Sequence, residues 1–214
     1  MAFRLLTKWV APADQVGGTC VLMRRLLFIV ALIGGCEGIP QPDPIPIATL
    51  IRTTGAMPTI TSVDVVGLPG AVAGVGRVTV SSPHQTITVD ASASGSFALI
   101  VDAAENDLLQ VRFESSEAAV VTVPLLPIMT APQPDPLHVG SPITAPVSGV
   151  STIFGQGIVQ ASILAVNFRT AATNTTVADA AGRFSLTIPA EAGDEVRVYI
   201  ESDPLSSAWV LTVP

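Results

Sequence analysis

The amino-acid sequence predicts an all-β protein: two tandem, small antiparallel β-sandwiches behind an N-terminal signal helix and a Pro-rich linker. Three observations predict it: an internal repeat, apolar residues alternating with period two at matched places in both copies, and a composition unsuited to surface helices. Of 214 residues only 13% are charged, 49% are hydrophobic, and 17 Gly and 18 Pro are available for turns. An amphipathic helix needs a charged wet face, and Lys, Glu and Arg are too sparse to furnish several. Little helix is expected beyond the N-terminus.

The first element is an address. Residues 1–22 lack a signal layout and carry Pro12, Asp14 and Gly17-Gly18, so they read as an over-extended start with Met23 the initiator. From Met23 run Arg24-Arg25, the apolar stretch Leu26 to Ile33, and Gly34-Gly35. Basic, apolar and small residues in that order make 23–35 a secretory signal. The apolar stretch is far short of the roughly 20 residues that span a bilayer. Ile33-Gly34-Gly35-Cys36 resembles the lipobox of bacterial lipoprotein signal peptides. The resemblance implies cleavage between Gly35 and Cys36, diacylglycerol on the Cys36 thiol, and an exported protein held in the bacterial cell envelope by lipid. Glu37 follows the cysteine in place of the Asp of many inner-membrane lipoproteins, so the expected residence is the outer membrane.

Charge and cysteine content exclude several functions. Four of the 10 basic residues and one of the 17 acidic ones precede Cys36, leaving 6 against 16 and a net charge of −10. Such a surface repels phosphate backbones, so no nucleic-acid partner is expected. Cys20 and Cys36 are the only cysteines, which rules out a disulfide framework after the signal. The only lysine is Lys8, which excludes Lys–Asn isopeptide cross-links there. Stability must come from packing.

The repeat sets the domain organisation. Pro40-Gln41-Pro42-Asp43-Pro44 recurs verbatim as Pro132-Gln133-Pro134-Asp135-Pro136. Gly74-Val75-Gly76 matches Gly155-Gln156-Gly157, Gly95-Ser96-Phe97 matches Gly182-Arg183-Phe184, and Val123-Pro124 matches Val213-Pro214, at spacings of 92, 81, 87 and 90. The expected segments are a Pro-rich linker over 36–58, a first sandwich over 59–124, a second linker over 125–141 and a second sandwich over 142–214. Pro-rich linkers favour extended, semi-rigid conformations, so the two sandwiches are expected to stand apart as beads on a stalk.

Within the first copy Val78, Val80, Ile87, Val89, Phe97, Leu99, Val101, Leu109, Val111 and Phe113 alternate with polar or small residues. In the second the alternating sets are Leu164, Val166 and Phe168; Phe184, Leu186 and Ile188; Val196, Val198 and Ile200; and Trp209, Leu211 and Val213. Period two is the mark of strands with one buried face. Asn106-Asp107 and Gly193-Asp194 punctuate the two copies at the same place, as turn residues do.

Val177-Ala178-Asp179-Ala180-Ala181-Gly182-Arg183-Phe184-Ser185-Leu186, continued by Ala190-Glu191-Ala192-Gly193-Asp194-Glu195-Val196, resembles bacterial immunoglobulin-like domains. It is similar also to carboxypeptidase regulatory-like domains. The first copy departs from it, with Ser92 where Asp179 stands and Asn106 for Gly193. Either resemblance implies an immunoglobulin-like sandwich and no activity of its own.

Chemistry-bearing motifs are few. His84 and His138 are the only histidines, and neither has a matched partner in the other copy; both read as loop residues. Ala91-Ser92-Ala93-Ser94-Gly95 lacks the first glycine of a nucleophile elbow, and Gly74-Val75-Gly76 lacks the third glycine of a dinucleotide loop. Asp90, Asp102, Asp107, Asp179, Asp194 and Asp203 fall in predicted turns, where carboxylates can hold Ca²⁺ or cap their own backbone; no Asp-x-Asp spacing occurs. No catalytic residue, metal or cofactor is expected. The function read here is a non-catalytic, lipid-anchored envelope protein with a structural, adhesive or protein-interaction role. The alternative, a glycan or cell-wall polymer module, needs an exposed aromatic strip, which Tyr199 and Phe168 would have to supply, since Trp209 lies in the inward register.

Overall fold

The computed structural model describes residues 45–114, 120–127, 134–136, 142–202 and 204–214. The signal segment, Gly35, Cys36, the first pentapeptide, His138 and Asp203 lie outside the described residues. Among the described residues each copy builds seven strands. In the first these are β1 (Ile51–Thr53), β2 (Thr61–Gly67), β3 (Gly76–Ser81), β4 (Thr86–Ala91), β5 (Phe97–Ala103), β6 (Leu108–Phe113) and β7 (Val120–Pro124). They form one sheet of order β1-β2-β5 and a second of order β4-β3-β6-β7, every pairing antiparallel. The second copy repeats this with β8 (Asp135–Pro136), β9 (Val150–Gln156), β10 (Ser162–Asn167), β11 (Thr173–Val177), β12 (Arg183–Pro189), β13 (Glu195–Ile200) and β14 (Trp209–Thr212). Its sheets are β8-β9-β12 and β11-β10-β13-β14. The described residues thus form two antiparallel immunoglobulin-like sandwiches, the fourth strand of each pairing with the third. Among the described residues the only helical turn is a 3-10 turn, Ala48–Leu50. Asp135–Pro136, in the stretch read as linker, pair with Gln156 and Gly155 as an edge strand of the second sandwich.

Each sandwich has its own core. Val63, Val65, Val78, Val80, Phe97, Leu99, Val101, Leu109, Val111 and Phe113 meet inside the first. Ile153, Ile163, Ala165, Phe184, Leu186, Ile188, Val196, Val198, Ile200, Trp209 and Leu211 meet inside the second. The alternation read from the sequence holds for β5, β6, β12, β13 and β14. It fails at β10, where Ile163 and Ala165 face the core while Leu164 and Val166 lie on the opposite face in a separate buried cluster. β10 is buried on both faces, so its sequence shows no polar face to set the register.

Two matches between the copies also shift. Gly67 pairs directly with Phe97, and Gly155 pairs directly with Phe184, so the counterpart of Gly155 is Gly67 rather than Gly74. Val123 pairs with Leu109 and Leu211 with Val196, so Val123 answers to Leu211 rather than Val213.

The expectation that the sandwiches stand apart is overturned. The outer face of the β2–β5 sheet, through Asp64, Val66, Leu68 and Ala98, lies against the outer face of the β10–β13 sheet. There Val66, Ala98, Leu164, Val166, Tyr199 and Leu205 form a third buried cluster. Two hydrogen bonds tie the seam: Leu205 N–H donates to Thr53 O at 2.9 Å, and the Ser96 hydroxyl donates to Ala171 O at 2.6 Å. Apolar residues on both outer faces make contact favourable, and a Pro-rich connector does not oppose it.

Candidate functional site

The seam holds the most distinctive polar group of the chain. Asp64 interrupts the apolar run Val63-Asp64-Val65-Val66 of β2 and points away from its own core, with only 6% of its surface exposed. The second sandwich supplies its partners. Arg197 Nη1 donates to Asp64 Oδ1 at 2.5 Å and Tyr199 Oη donates to Asp64 Oδ2 at 2.7 Å, both from the outer face of β13. Arg197 Nε is engaged by Glu195 at 2.7 Å, and its guanidinium carbon sits 4.4 Å over the centre of the Phe168 ring. Burial alone would lower the Arg197 pKa, but the Asp64 charge and the bonds to Glu195 and Asp64 outweigh it and hold the guanidinium above its ordinary value. Burial, then the neighbouring Asp64 charge, pushes the Tyr199 phenol far above its ordinary value. The phenol keeps its proton and donates a hydrogen bond to Asp64 Oδ2. A cleft of about 180 Å³ lined by Thr54, Gly55, Ser62, Asp64, Leu205, Ser207 and Ala208 opens beside this group.

A second polar arrangement recurs in both sandwiches and is structural. In the first, Ser82 Oγ accepts from the backbone N–H groups of His84 (3.0 Å) and Gln85 (2.9 Å) and donates to Asp102 O (2.6 Å). In the second, Asn167 Oδ1 accepts from Arg169 N–H (2.9 Å) and Thr170 N–H (3.3 Å), and Nδ2 donates to Pro189 O (3.0 Å). His84 then meets Asp107 at 3.3 Å, and Arg169 meets Asp194 in the same way. His84 thus does have a counterpart in the other copy, Arg169, which sequence matching missed because the two residues differ. Asp194 is lowered to about 2, first by the Arg169 hydrogen bond, against the effect of burial, with the Glu191 N–H and the Asn167 amide also favouring the anion.

Of the aspartates expected in turns, Asp90 and Asp102 lie instead within β4 and β5, and Asp107, Asp179 and Asp194 are occupied locally. Asp107 accepts from Ala104 N–H and Asp194 from Glu191 N–H; Asp179 Oδ1 accepts from Ala181 N–H and Arg183 N–H, each at 2.8 Å. Asp102 accepts from the Ser62 hydroxyl. Among the described residues, no three His, Cys, Asp or Glu groups converge as metal ligands. Tyr199 is fully buried, Phe168 is half-buried under Arg197, and Trp209 packs in the second core. Gly35 and Cys36, the sequence-derived site residues, lie outside the described part. Asp64, Arg197 and Tyr199 went unread as a site; an acid inside an apolar run was the one available signal.

No family model and no curated protein matches this chain. Solved structures similar to it include the human OSCAR ligand-binding domain, at 14% identity over 80% of this chain and 98% of that one, with a TM-score of 0.27. A two-domain fibronectin type III segment of chicken tenascin is 14% identical over 79% and 99%, at 0.25. The D0-D1 domain of intimin is 11% identical over 74% and 93%, also at 0.25. At such scores the likenesses carry nothing about function, and the fold rests on the strand pairing described above. Among the described residues no helix is long and apolar enough to cross a membrane.

Proposed function

We propose that this chain is an exported, non-catalytic envelope protein, anchored through lipid on Cys36 after cleavage behind Gly35, that holds two sandwiches as one body for a structural or adhesive role in contact with protein. The observation that carries the reading is the fate of the aromatic residues. Tyr199 is fully buried and spent on Asp64, and Phe168 lies under Arg197, so neither contributes to an open aromatic strip of the kind a glycan platform needs. Among the described residues, His84 is engaged by Asp107, and Asp107, Asp179 and Asp194 accept from backbone N–H groups of their own turns, which supports a structural use of these groups. The anchor rests on the lipobox resemblance, and outer-membrane residence on Glu37.

The test is metabolic labelling with a palmitate analogue followed by fractionation. Wild type should take up label and sediment with outer membranes, and Cys36→Ser should lose both properties. An unlabelled wild type, or a Cys36→Ser chain that still sediments with membranes, would remove the anchor from the reading.

A further inference from the structure

We draw no further inference here: the strongest candidate, the outer face of the β9–β12 sheet around the exposed Val150 and Phe154, is an unpartnered apolar face, and nothing in the structure shows what covers it.

Discussion

Phe97 lies across Gly67, and Phe184 across Gly155, in the same place of the two sandwiches. A Cβ on Gly67 would stand 2.2 Å from the Phe97 ring, and one on Gly155 would stand 2.3 Å from the Phe184 ring. Glycine is required there by a close approach, and the aromatic ring fills the space its missing side chain leaves. Gly155→Ala should therefore cost about 1–3 kcal/mol by overpacking, read from denaturant unfolding, and a neutral result would show that the ring can move aside. The phenylalanines were legible from their position behind a turn glycine, but their partners were not, because pairing across a sheet leaves no mark in local sequence. Ser151 makes the converse case. Its hydroxyl is buried without a hydrogen-bond partner opposite Ile188, where the first sandwich has Val63 opposite Val101. Ser151→Ala should raise stability by on the order of 1 kcal/mol, since an unsatisfied buried hydroxyl is removed. An unchanged or lowered melting temperature would count against that account.

At the scale of elements, alternation identified strands with one wet face and misread the strand with none. Ile163-Leu164-Ala165-Val166 offers two equally apolar registers, and the sequence reading took Leu164 and Val166 for the core set; only the tertiary contact shows which set faces inward. The β3–β4 and β10–β11 turns hold by the same plan with different residues, Ser82 with His84 and Asn167 with Arg169. Motif matching saw the shared Asp107 and Asp194 and missed the rest. The plan has a measurable acid dependence. Asp194 sits at about 2 in the folded chain against an ordinary 3.8. A lowered folded value means that the carboxylate stabilises above its unfolded pKa and that this contribution is lost as pH falls towards the folded one. The second sandwich should lose stability between about pH 4 and pH 2 through this group. Asp194→Asn should be less stable than wild type at neutral pH and flatter across that window. Parallel acid limbs in the two proteins would show that Asp194 is not the responsible group.

At the scale of the molecule, the two-copy architecture was legible and its assembly was not. Repetition and turn spacing predict two sandwiches, but a Pro-rich connector reveals neither docking nor separation. The apolar outer faces of β2 and β10 were the sequence's only hint of a seam. The seam changes what a core mutation should do. Phe184→Ala should cost the second sandwich about 3 to 5 kcal/mol, a large share of the stability of a domain this small. If the sandwiches were independent, the first would melt as before. Here loss of the second sandwich uncovers Val66 and Ala98 and strips Asp64 of Arg197 and Tyr199. A carboxylate left in a seam that no longer exists is rehydrated, but the apolar contact and both charge-assisted bonds are gone from the first sandwich's account. Its transition should therefore move to lower temperature in Phe184→Ala, and it should move less when Asp64→Asn and Tyr199→Phe have already weakened the seam. Calorimetry on the four combinations, wild type, the core variant, the seam variant and both together, separates the cases. An unmoved first transition in Phe184→Ala would mean that the seam contributes nothing to the first sandwich, and that the two copies fold as strangers on one chain.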